Sequence, residues 1–259
     1  MKKIFYLVCV LLLIFLIVHE IQRLFPKSEA KVSEAEPVKK TNASGKENQK
    51  PQKVAYLTFD DGPSDNTEKV LKTLKEKNAV ATFFLIGNEI TEEREETVKK
   101  AIEQGNAIGV HTYCHEQKVM YRDEESFFDD YQKAAGTIQK ITGERPTLHR
   151  FPWGSNNGYI RSFVDDAHQK LTQMGVKSFD WNVSGEDSVG RHISGWIIMS
   201  NIKKDLTKYD TPIILLHDSA GMDRTAEVLG DIIDYIRSQG YTFATLTDRE
   251  EYLFPVSWR

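Results

Sequence analysis

Cysteine is almost missing from this chain of 259 residues: there are 2, Cys9 in an apolar N-terminal run and Cys114 far downstream, so no intramolecular disulfide is expected to staple the folded part. A basic surplus is missing too. The net charge is −4 and no basic stripe alternates with aromatics, which argues against the phosphate-tracking and base-stacking surfaces of nucleic-acid binders. No internal repeat stands out, so repeat architectures are set aside. Only one long apolar run exists, and no small-x-small cleavage site directly follows it. What remains is ordinary: 40% apolar and 28% charged residues, enough to bury one sizeable core.

The apolar run, Ile4 to Val18, follows Lys2 and Lys3. It is shorter than the ~20 residues that span a bilayer comfortably. An uncleaved membrane anchor over residues 1–25 is the favoured reading, a cleaved signal the alternative. The leading lysines stay cytoplasmic, which puts the remainder outside the cell membrane, or secreted if the segment is cleaved. Cys9 lacks the small preceding residue of a lipidation site. Residues 26–53, rich in Lys, Glu, Ser, Asn, Gln and Pro, cannot bury enough to offset the entropy of ordering and read as a flexible tether. One folded domain is expected over 54–259.

Within that domain, short β-rich runs alternate with stretches of 3.6-residue periodicity, the pattern of strand-helix units around a parallel sheet. Strands are expected at Val54–Phe59, Ala81–Ile86, Ala107–Val110, Thr147–Phe151, Val176–Phe179, Pro212–Leu216 and Thr242–Thr245. Helices are expected at Thr67–Lys77, Glu92–Gln104, Glu124–Ile141, Ile160–Met174, Gly195–Leu206 and Thr225–Ser238. An α/β fold follows, best read as a distorted (β/α) barrel with about seven parallel strands. A doubly wound sheet is the runner-up.

Residues able to do chemistry end five of the apolar runs: Thr58-Phe59-Asp60-Asp61-Gly62, His111-Thr112-Tyr113-Cys114-His115, Arg150-Phe151-Pro152-Trp153-Gly154, Asp180-Trp181 and Leu215-Leu216-His217. C-terminal strand ends are where barrels and open α/β sheets place their sites. Two imidazoles four apart share a face if they sit on one helical turn, and with one of Asp60 or Asp61 they can hold a cation. Such a ligand set suits a hydrolytic zinc site and also non-haem iron. Successive side chains on a strand alternate, so Asp60 and Asp61 are expected to point different ways and do different jobs. His217 is the candidate acid, since imidazole titrates near neutrality.

These motifs, in this order over residues 54–248, resemble those of the polysaccharide deacetylases of carbohydrate esterase family four, which include bacterial peptidoglycan and chitooligosaccharide deacetylases. The resemblance implies a metal-dependent hydrolase that removes N-acetyl groups from amino-sugar polymers, above all peptidoglycan N-acetylglucosamine. It implies Asp61, His111 and His115 as ligands of a divalent ion, zinc first and cobalt or another divalent ion as the alternative. Asp60 becomes the base with Arg150 paired to it, and Asp180 the carboxylate that holds the proton on His217. The metal and the backbone N–H of Trp153 would stabilise the oxyanion, while Trp181 and Leu215 would wall the acetyl pocket. Two departures stand out: Lys177 opens the stretch that often reads Asp-x-x-Asp-Trp, and Trp153 replaces the Tyr or Gly common after the proline.

A cell-wall glycan and the membrane are the expected partners, with no protein partner. The alternatives are a chitooligosaccharide deacetylase or acetyl xylan esterase of the same family, a catalytically silent wall-binding protein, and an oxygenase built on the same ligand triad. The remaining histidines, His149, His168 and His192, have no partner spacing and read as structural or exposed. Ser155, Asn156 and Asn157 read equally as sugar contacts or a polar loop.

Overall fold

The computed structural model describes residues 53–190, 193–255 and 257. The anchor expected over 1–25, the tether over 26–53 and His192 lie outside them, except that Lys53 opens the first strand instead of closing the tether. None of the helices among the described residues is long and apolar enough to cross a membrane.

The described residues form eight strands: β1 (Lys53–Gly62), β2 (Ala81–Ile86), β3 (Ala107–Thr112), β4 (Leu148–His149), β5 (Lys177–Ser178), β6 (Val183–Ser184), β7 (Ile213–His217) and β8 (Tyr241–Phe243). Every ladder between them is parallel. Seven lie in the order β5-β4-β3-β2-β1-β7-β6, while β8 pairs with the start of β1. From β1 to β5 each new strand adds on the same side, the winding of a barrel, whereas a doubly wound sheet reverses at its switch point. No ladder joins β5 to β6 among the described residues. The barrel is therefore open on that side, where Tyr252 bridges Phe179.

Between the strands run α1 (Asp65–Glu76), α2 (Glu92–Glu103), α3 (Gln117–Met120), α4 (Glu124–Thr142), α5 (Val164–Gln173), α6 (Gly195–Asp205) and α7 (Asp223–Ser238). Three of them start at side chains that satisfy orphan N–H groups: Ser64 caps α1 while its own N–H donates to Thr67 Oγ1, Asp123 caps α4, and Ser194 caps α6. The longer ones bury a stripe at helical spacing, such as Val70, Leu71 and Leu74 on α1 or Leu229, Ile232, Ile233 and Ile236 on α7. Burying one such side chain contributes roughly 1.5–3 kcal/mol. The expected helix from Ile160 begins four residues later, at Val164. Asn157 Oδ1 accepts the N–H groups of Tyr159 and Ile160 and holds that stretch in a turn.

Both faces of the sheet are covered. On β2, Phe83 and Leu85 join the layer between sheet and helices. Phe84 instead joins a smaller cluster with Leu148, Phe179, Ile213 and Leu246 inside the barrel. That alternation explains why β2 is buried at every position. Gly109 of β3 lets Phe84 approach: a Cβ there would sit 2.7 Å from the Phe84 ring and 3.0 Å from the Leu148 carbonyl. Gly109→Ala is expected to lower unfolding free energy by about 1–3 kcal/mol through overpacking. Denaturant unfolding checks this, and an unchanged midpoint and slope would contradict it.

Candidate active site

At the C-terminal end of β1, Asp60 lies in register with Phe84 of β2 and His217 of β7. One residue on, the ladder to β2 shifts register between Asp60 and Gly62, and Asp61 takes φ 72°. The expectation that the two carboxylates point different ways is thereby corrected. The left-handed backbone, which aspartate tolerates better than most residues, breaks the strand alternation, and both side chains line one cavity.

The His pair is corrected in the same manner. His111 ends inside β3, and His115 follows in a turn at φ 53°, not on a helix. Asp130 of α4 builds that turn: its carboxylate accepts the Thr112 hydroxyl (2.5 Å) and the N–H groups of Tyr113 (2.7 Å) and Cys114 (3.1 Å). Sequence reading missed Asp130, which stands within a helical stretch with nothing to mark it. The turn brings His115 Nε2 and His111 Nε2 each to 3.4 Å from Asp61 Oδ1. Ligand atoms of Asp61, His111 and His115 all lie within 4.8 Å of one another.

Three observations fit this trio to a cation. Asp61 Oδ1 is buried without a hydrogen bond among the described residues. His111 Nδ1 lies 2.9 Å from the Arg150 carbonyl, and since a carbonyl only accepts, that nitrogen carries a hydrogen and Nε2 is the nitrogen turned toward Asp61, 3.4 Å from Oδ1. Burial and then the neighbouring His111 push His115 below the usual histidine range, which keeps its ring neutral. Burial opposes the charge on Asp61, yet His111, His115 and His217 together hold its carboxyl below the ordinary range. Two imidazoles and a carboxylate with room beside them are the donors of an open hydrolytic site. Cys114 is not part of the trio: burial pushes its thiol up to about 11, so it stays protonated.

Arg150 is completely buried. Its Nη1 donates to Asp60 Oδ1 at 2.8 Å and to Thr58 Oγ1 at 2.7 Å, Nε to the Phe179 carbonyl at 2.8 Å, and Nη2 to the Asp180 carbonyl at 3.3 Å. The guanidinium also lies 4.4 Å over the Phe84 ring.

The carboxylate beside His217 is Asp187, not Asp180. His217 Nδ1 donates to Asp187 Oδ1 at 2.8 Å, and the His217 N–H and the Thr225 hydroxyl both reach Oδ2, at 2.8 and 2.6 Å. Asp180 faces elsewhere, accepting the Ser155 N–H (2.9 Å), the Ser155 hydroxyl (2.5 Å) and the Phe254 N–H (2.7 Å). It pins the loop after Arg150 to the C-terminal segment, and burial raises its pKa against those bonds. Asp187 follows β6, a two-residue strand too short to register as periodicity. Its only sequence signal is its place in a polar stretch, beside a second acid, Glu186.

Asp60, Asp61, His111, His115, Trp153, Trp181, Leu215 and His217 border one cavity of about 400 Å³. Trp153 stands at φ 63° with its ring 4.6 Å from His115, and its N–H makes no hydrogen bond among the described residues. Larger hollows of about 970 and 940 Å³ open elsewhere, but neither gathers these groups. Of the remaining histidines, His149 is buried among Phe127, Tyr131 and Phe151, and His168 pairs with Glu251 at 2.6 Å.

Burial lowers the pKa of His217, but the hydrogen bond and charge of Asp187, with Asp60 and Asp61, reverse this and push it up to about 9. The ring therefore stays charged through neutrality, and the stability this charge adds is lost as pH rises through that value. NMR titration of the metal-free chain is expected to find His217 near about 9, and Asp187→Asn to return it toward 6.5 or lower. Identical titration in both proteins would contradict the pairing.

Residues 47–177 match the family model of the polysaccharide deacetylases. A peptidoglycan-N-acetylglucosamine deacetylase of Bacillus cereus is 32% identical over 215 residues, covering 82% of this chain and 75% of the relative. The peptidoglycan-N-acetylmuramic acid deacetylase PdaC of Bacillus subtilis is 32% identical over 202 residues, 77% of this chain and 39% of that protein. Among solved structures, the catalytic domain of a peptidoglycan N-acetylglucosamine deacetylase from Eubacterium rectale superposes with a TM-score of 0.71 at 27% identity, covering 78% of this chain and 94% of that one. Motif order, barrel winding and these likenesses agree, and the chain belongs to the polysaccharide deacetylase family.

Proposed function

We propose that this chain is a metal-dependent hydrolase that removes N-acetyl groups from amino-sugar polymers, with peptidoglycan N-acetylglucosamine as its main substrate. The observation that carries the reading is convergence: three cation donors, a carboxylate braced by Arg150 and an imidazole braced by Asp187 meet at one cavity of about 400 Å³. That volume falls near the lower end of the roughly 300–1,000 Å³ typical of small-molecule sites, room for one sugar ring with its acetamide.

A divalent ion held by Asp61, His111 and His115, zinc first and cobalt as the alternative, would supply Lewis-acid polarisation of the acetamide carbonyl and a more acidic water. This chain's own groups do the rest. Asp60, oriented by Arg150, accepts a proton from the attacking water. The free N–H of Trp153 donates to the oxygen that gains negative charge. His217 delivers its proton to the departing amine, and Asp187 fixes the tautomer that aims Nε2 at the cavity. Trp181 and Leu215 enclose the acetyl methyl. The amine leaves on the sugar and acetate carries the former carbonyl carbon.

The catalytic domain acts outside the cell, tied to the membrane through Ile4–Val18 and the tether, in reach of the wall. The relatives' names divide between N-acetylglucosamine and N-acetylmuramic acid; the former is favoured because more of those relatives carry it.

Acetate release from peptidoglycan, chitooligosaccharides and acetyl xylan tests the reading. The expected order puts peptidoglycan first, with release abolished by chelator and restored by zinc or cobalt. Asp60→Asn is expected to keep its metal while losing about 10²–10⁴-fold in kcat, the share of a general base, whereas His115→Ala loses metal and turnover together. Chelator-insensitive release, or a fully active Asp60→Asn, would contradict the mechanism.

A further inference from the structure

Trp153, which lines the cavity, touches a second exposed aromatic ring. The Tyr159 ring stands edge-on to Trp153, 5.9 Å between centroids at 70°. The two are 43% and 53% exposed. Single exposed aromatics are ordinary, but a contiguous pair whose first member, Trp153, lines the cavity that holds the reacting groups is a ligand surface in composition.

The pair is also rigidly held. Asn157 commits its whole amide to the loop, Nδ2 donating to the carbonyls of Pro152 (3.0 Å) and Gly154 (2.7 Å), Oδ1 accepting from the N–H groups of Tyr159 (2.9 Å) and Ile160 (3.2 Å). Gly154, at φ 81°, leaves no space for a side chain: a Cβ would lie 2.9 Å from Phe254 and 3.1 Å from Trp181. Ile160, fully buried, anchors the far end. The loop is thus fixed on both sides of two rings that remain in water, and the Tyr159 hydroxyl has no hydrogen bond among the described residues. A platform ordered in advance loses little entropy when a ligand arrives.

What would lie there follows from the size of the cavity. About 400 Å³ holds the reacting sugar, so the next unit of a chain must leave over the rim. A saccharide ring offers C–H groups to an aromatic face and hydroxyls to a phenol, which is what Tyr159 presents. We propose that Tyr159 extends the Trp153 wall into a binding platform for the saccharide unit adjoining the one that reacts, making the enzyme select chains over single sugars. This rests on the deacetylase reading above.

The test compares the full chain with Tyr159→Ala and Tyr159→Phe on N-acetylglucosamine and its tetramer. Tyr159→Ala is expected to raise KM for the tetramer about tenfold, the scale of one lost aromatic contact. The rise for the single sugar should be far smaller, and Tyr159→Phe should recover most of the loss. Calorimetric binding of the tetramer to chains that also carry Asp60→Asn reads the platform without turnover, so a failed reaction and a failed platform are told apart. Equal losses on both substrates, or tetramer binding indifferent to Tyr159→Ala with thermal unfolding unchanged, would overturn the proposal.

Discussion

Arg150 keeps its guanidinium wholly out of solvent, and an interior charge is tolerated only where acceptors surround it. Here Thr58 and Asp60 of β1 and the carbonyls of Phe179 and Asp180 supply them. Its backbone works too, since the Arg150 carbonyl sets the tautomer of His111. One residue therefore spaces the base candidate, orients a cation donor and joins β1 to the segment after β5. Removing one partner of such a buried pair typically costs about 3–5 kcal/mol. The site and the barrel interior are for that reason not separable: Phe84, which Gly109 admits, lies directly beneath the guanidinium.

Around this charge the centre is rich in acids. Asp60 and Asp61 face His111, and Asp218 packs against Gly62 so closely that a Cβ there would fall 2.6 Å from its oxygen. Burial, with Asp61 and Asp60 behind it, pushes the Asp218 carboxyl up to about 7. Crowded carboxylates of this kind are relieved by a cation, and the orphaned Asp61 oxygen marks where one would sit. On the opposite flank Asp187 accepts from His217 and Thr225. Asp60, His111 and His217 are thus each held by a second residue, Arg150 or Asp187, that does not itself border the cavity.

The strand-helix alternation and the reactive residues closing β1, β3 and β7 were legible in the sequence because short apolar runs, such as Ile213 to Leu216 before His217, mark a buried strand and its end. What escaped notice depended on features too short or too local for periodicity. β6 has two residues, so Asp187 after it looked like loop, and the carboxylate role went to Asp180, which sits beside a tryptophan but faces Ser155 and Phe254. Spacing alone made His111 and His115 look helical. In fact they meet because Asp130, contributed by a later helix, folds the turn between them. Likewise nothing in Asp60-Asp61 reveals the left-handed step that turns both carboxylates into one cavity.

The proposed chemistry turns on Asp61, His111 and His115 holding one divalent ion. Anomalous diffraction from crystals grown with a zinc salt tests it most directly. A single strong peak is expected about 2.0–2.2 Å from Asp61 Oδ1, His111 Nε2 and His115 Nε2, with Asp60 beside it still paired to Arg150. A peak elsewhere, or none at this cavity in zinc-saturated crystals, would contradict it.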